Sequence, residues 1–183
     1  DFVKLNGNQY ESLYHVALSD PRLVTDRIVG TVKFNVKENI HNTGYKSKDG
    51  DAAFLAKGTV LYEIAGLDPE RFIAVRDETM INGYKVYHNW QEGDGQTWHY
   101  SELEHNYVQQ IEVYEGYSGT ASLVTHEGDS VKAILALLDA STPAPGYRPS
   151  ATAGDPAAAR LVFYDGGPIV QTHYIFNDNM NYY

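Results

Sequence analysis

The chain has 183 residues, no cysteine and a formal net charge of −10, with 14 Lys and Arg against 24 Asp and Glu. That balance excludes disulfides, thiolate metal sites and Cys nucleophiles, and it opposes nucleic acid or an anionic membrane as partner, since both need clustered positive charge. An apolar content of 43% excludes a disordered chain, and no run approaches the roughly 20 apolar residues that cross a bilayer as a helix, so no transmembrane segment is expected.

Residues 2–5 and 9–18 flank Asn6-Gly7-Asn8 and read as a β-hairpin, closed by Ser19-Asp20-Pro21. Residues 26–36 follow as a strand whose apolar residues keep no strict period, so Gly30 marks a bulge. Residues 37–51 are polar: either a surface connection or a site-forming loop, with Asp49-Gly50-Asp51 as its candidate cation donors. Those donors lack the later Glu and the spacing of a calcium loop.

Residues 52–90 carry the architecture. Their apolar runs are short, β-branched or aromatic, and bounded by Gly, Asp, Pro or Asn, which predicts three or four antiparallel strands. Val60, Tyr62 and Ile64 point one way, and Leu61 and Glu63 the other. Residues 71–76 are likewise not polar on either whole face, so both sides of these strands are expected to meet a neighbour. Asn82-Gly83 between Ile81 and Tyr84 signals a type I′ hairpin.

Residues 91–105 form a second polar insertion, followed by strands at 107–114 and 121–125. One helix is predicted next. Asp129 or Ser130 caps it, and Val131, Ile134, Leu135 and Leu138 place an apolar stripe on one face as far as Ala140. Residues 142–155, rich in Pro and Gly, continue neither helix nor strand. Residues 160–164 and 169–176 pair as a C-terminal hairpin across residues 165–168, leaving a tail, residues 177–183, that either docks or frays.

The expected fold is α+β and mostly β: an antiparallel sheet or partly closed barrel with one short amphipathic helix near 130–140 and a C-terminal hairpin. Residues 1–183 are expected to form a single domain, the alternative being a β part, 1–105, and a strand-helix-hairpin part, 106–183. The run Lys57-Gly58-Thr59-Val60-Leu61-Tyr62-Glu63-Ile64, with Gly66, Asp68-Pro69 and residues 72–75, resembles a pattern in exported proteins and lipoproteins of Bacillus- and Paenibacillus-type bacteria. Residues 32–36 and 50–55 share that resemblance, which covers about 28–176 and is interrupted by the insertion at 91–105. It implies an extracytoplasmic location, secreted or lipid-anchored at a Gram-positive cell envelope, and it carries over no catalytic residue or cofactor.

For chemistry, His99, Glu102 and His105 form the densest cluster of metal-ligand types, although no H-E-x-x-H spacing is present. Trp90, Trp98, Tyr100 and Tyr107 bracket the same insertion and either stack on a ligand or pin the loop to the sheet. The 15 tyrosines serve strand packing or a Tyr-lined binding face. Three readings follow. One is a non-catalytic extracytoplasmic domain that binds a protein or cell-envelope component. The second is a hydrolase, with or without a metal's assistance, with its site at 91–105. The third is a subunit of a surface assembly that self-associates through the C-terminal tail.

Overall fold

The computed structural model describes residues 1–41, 44–90, 98–116, 123–142, 144, 146–150 and 157–183. In chain order its elements are β1 (Phe2–Leu5), β2 (Asn8–Ser12), β3 (Val16–Leu18), β4 (Val24–Thr31), β5 (Phe34–Asn35), α1 (Val36–Asn39), β6 (Asp51–Ala52) and β7 (Val60–Ile64). There follow β8 (Phe72–Arg76), β9 (Tyr84–His88), β10 (Gln110–Glu115), β11 (Leu123–Glu127), α2 (Asp129–Asp139), β12 (Ala157–Tyr164) and β13 (Ile169–Asn177). The protein is mostly β, as expected.

The first sheet has the order β4-β7-β8-β9-β2-β1-β6-β5, antiparallel except for the short β5–β6 pair. Its two outermost strands, β4 and β5, are separated in the chain by Val32 and Lys33 alone. The sheet must therefore curl until its edges approach, and the concave side becomes a core of Val3, Tyr10, Val32, Ala52, Leu61, Ile73, Val75 and Tyr87. The bulge expected at Gly30 is present as a register shift between Ile28 and Gly30 against β7. It fits where a side chain would not, since a Cβ on Gly30 would lie 2.5 Å from Leu5 Cδ1.

The second sheet has the order β11-β10-β12-β13-β3 and is antiparallel throughout. One face carries Ile111, Leu161 and Phe163 beneath Val131 and Leu135 of α2. Burying two such side chains supplies on the order of 3–6 kcal/mol, which a three-turn helix lacks on its own. Between the sheets, Ile64, Ala74 and Val86 from the first meet Val16, Leu18 and Ile169 from the second. The two-sided packing expected of β7 and β8 is thus present, with Leu61, Ile73 and Val75 in one core and Ile64 and Ala74 in the other.

Several expectations need correction. Residues 9–18 are not one strand, because the chain leaves the first sheet after Ser12 and joins β13 of the second at Val16. Alternation alone carries no information about which sheet a residue joins. Asn82 and Gly83 do take positive φ, 58° and 74°. The ladder nevertheless closes at Arg76 and Tyr84, so the connection is residues 77–83 and not a two-residue hairpin. Residues 37–51 begin inside α1, capped by Asn35, whose Oδ1 accepts from the Glu38 N–H at 2.9 Å. Helix α2 is capped by Gly128, at φ 58°, with Asp129 already helical. The Asp49 and Asp51 carboxylates are engaged internally. Asp49 accepts from the Gly7 N–H, and Asp51 from the Tyr45 hydroxyl and the Lys48 N–H, both at 2.7 Å.

Candidate functional site

Three local devices shape one large groove beside the second sheet. Strands β12 and β13 alternate, so Phe163 and His173 share the face that α2 covers, and Leu137 and Leu138 at the end of α2 line the groove with them. A short helical turn, Tyr100–Glu102, lays Tyr100 against that face, with ring centroids 6.0 Å from both Phe163 and His173. Beyond β13 the chain turns back on itself. The Phe176 N–H donates to the Tyr183 carbonyl at 2.8 Å and the Tyr183 N–H to the Phe176 carbonyl at 3.0 Å. The open groove has a volume of about 1000 Å³ and is lined among others by Tyr100, Leu138, Tyr147, Phe163, His173 and Tyr183.

Hydrogen bonds hold its walls. Asp139, the last residue of α2, accepts the Tyr100 hydroxyl at 2.9 Å and lies 3.3 Å from His105 Nδ1. An acid at a helix C-terminus opposes the macrodipole, so its contribution is this anchoring. On the far wall Asp178 accepts from the Tyr147 hydroxyl at 2.6 Å and the Ser150 N–H at 2.7 Å. Those bonds hold its carboxyl well below the usual range, the Tyr147 hydroxyl contributing most. Tyr147 rises in turn because its hydroxyl serves Asp178.

The described lining of the groove includes no Lys, Arg, Asp or Glu side chain. Burial, reinforced by the nearby His15 and His99, lowers His173 to about 4. Burial followed by the bond to Asp139 raises the Tyr100 hydroxyl above its ordinary value.

Of the seven residues singled out in the sequence, the structure brings Tyr100 alone into the lining of this groove, with His105 packed beside it, ring centroids 5.2 Å apart. Trp98 is 9% exposed and fills the core between the sheets. Trp90 stands edge-on to His88, centroids 4.4 Å apart, as a pin on the sheet. Tyr107 is 60% exposed at the end of a second short turn, His105–Tyr107. His99 is exposed and precedes the Tyr100–Glu102 turn, which Glu102 ends. Among the described residues no three His, Asp or Glu side chains are placed to hold a metal ion. Residues 91–97 of the insertion lie outside the described residues.

Comparison with known proteins found no matching family model, no matching curated protein and no matching solved structure.

Sequence reasoning missed Asp139, Tyr147, Phe163, His173 and Asp178. The tyrosine count signalled an aromatic surface but not its place. His173 carries no local signal, because it reads as one more alternating strand residue.

Proposed function

We propose that this chain is a non-catalytic, extracytoplasmic binding domain whose aromatic groove takes a neutral saccharide of the cell envelope. The observation that carries the reading is a groove of about 1000 Å³ walled by rings and hydroxyls, its described lining free of Lys, Arg, Asp and Glu. Aromatic faces pack against the C–H faces of a sugar, and the phenolic hydroxyls meet its hydroxyls. Exposed apolar residues continue the groove outward: Leu137 at 74% and Tyr182 at 77%. Patches of this kind on a protein surface mark binding sites. The extracytoplasmic placement rests on the resemblance of residues 28–176.

The test is sedimentation with insoluble neutral glycans, cellulose and chitin among them, and with peptidoglycan sacculi, followed by assay of released reducing ends. The expected result is saturable binding, no release, and at least about tenfold weaker binding in Tyr182→Ala. Its 77% exposure keeps that substitution from disturbing the fold. Binding unaffected by Tyr182→Ala, or none to any glycan, would refute the groove as a saccharide seat. Released reducing ends would establish a hydrolase instead.

A further inference from the structure

On the face of the second sheet turned away from α2, Arg160 stands in register with Tyr174, beside Val162 and its partner Thr172. Arg160 is 5% exposed. Its Nη2 donates to Thr172 Oγ1 at 3.1 Å and reaches the Val16 carbonyl at 3.5 Å, while its Nε has no hydrogen-bond partner. No carboxylate forms an ion pair with it among the described residues. The Tyr174 ring lies against the guanidinium, 5.4 Å from Cζ to the ring centroid, but a buried guanidinium without a carboxylate partner is still costly. In a chain of net charge −10, with acids to spare, that arrangement calls for an explanation.

Arg160 lines a cleft of about 180 Å³ between the two sheets, together with Tyr14, His15, Tyr84, Lys85 and Tyr174. Its described lining includes no Asp or Glu. The Lys85 side chain is 16% exposed, lies over the Tyr14 and Tyr87 rings, and pairs with Asp1 at 2.7 Å. Asp1 also accepts from the Tyr87 hydroxyl, so its charge is divided between two donors. At roughly 30 Å³ per water, the cleft has room for an oxyanion and a few attached carbons, and not for a polymer. We propose that this cleft binds a small carboxylate- or phosphate-bearing molecule, its oxyanion received by the guanidinium of Arg160 with Lys85 as second cation. Guanidinium meets such groups through charge-assisted hydrogen bonds of fixed geometry. This site is separate from the aromatic groove, although Tyr174 borders both.

The experiment titrates the whole chain with inorganic phosphate and, separately, with acetate and succinate, against sodium chloride at matched ionic strength. It follows the thermal midpoint and the Arg160 Nε–H signal by nitrogen-proton NMR. The proposal expects a saturable rise of a few degrees and a saturable shift of that signal with one oxyanion class, which identifies the source. Lys85→Met, at a side chain outside the apolar cores, should weaken the effect about tenfold. Arg160→Lys should weaken it at least as much, while Tyr182→Ala leaves it intact. An unmoved Nε–H signal at every ligand, or a rise equal to that with chloride and unchanged in Lys85→Met, would overturn the proposal and leave Arg160 as a strut between β12 and β3.

Discussion

The hydroxyl of Tyr147 donates to Oδ2 of Asp178 at 2.6 Å, and Asn181 Nδ2 donates back to the same hydroxyl at 3.2 Å. Asp178 Oδ1 meanwhile accepts from the Met180 and Asn181 N–H groups. One carboxylate thus folds the tail and ties it to the segment before β12, placing Tyr182 and Tyr183 at the groove.

Asp178→Ala should release that tail. The Tyr183 N–H, bonded to Phe176 in the native chain, should lose hydrogen-exchange protection while β12 and β13 keep theirs. Because the folded carboxyl titrates below its unfolded value, its stabilisation is present above the ordinary carboxylate pKa and vanishes only as pH falls through the lowered value. A tail that frees itself near pH 4 in the native protein would contradict this.

His173 makes stability depend on pH with the opposite chemistry. Its folded pKa, about 4, lies below the unfolded 6.5, so between those values the unfolded chain binds a proton that the folded chain refuses. Stability should fall as pH drops from 6.5 to 4 and level off for this group below that. At about 1.4 kcal/mol per unit the ceiling is about 3.5 kcal/mol, less with partial exposure. Urea midpoints of native and His173→Phe protein at pH 7, 5.5 and 4 isolate the effect. The native midpoint should fall relative to that of His173→Phe as the pH is lowered, and parallel curves would refute it.

Leu18, fully buried, packs with Ile64 and Val86 across the two sheets. Leu18→Ala should cost about 3 kcal/mol and lower the midpoint of one transition seen alike by fluorescence and circular dichroism. Two separate transitions, only one of them shifted, would show that the sheets fold independently.

Gly50 and Gly58 both hold positive φ, 91° and 94°. A Cβ on Gly50 would lie 2.6 to 3.0 Å from the aliphatic chain of Lys33, while one on Gly58 would meet nothing within 4 Å. Gly58→Ala should cost about 1 kcal/mol from backbone strain alone, and Gly50→Ala clearly more. Equal losses in chemical denaturation would show that Lys33 moves aside freely.

Local chemistry carried the elements. Asn6-Gly7 turned the first hairpin, the Val131-Ile134-Leu135-Leu138 stripe announced α2, and the alternation through residues 60–64 named the faces that Leu61 and Ile64 occupy. Each of these signals lies within one or two turns of chain, where propensity and side-chain period act directly. Which strands share a sheet was decided elsewhere. Val16 pairs with Gln171 and Tyr100 bonds Asp139, and contacts across such distances leave no mark on local periodicity. For the same reason the two sites were only partly legible: Tyr100 of the groove stood out beside a polar insertion, but Phe163 and His173 of the groove and Arg160 of the cleft read as ordinary strand residues. Their chemistry arises from burial and neighbours, and those exist only once the two sheets have packed.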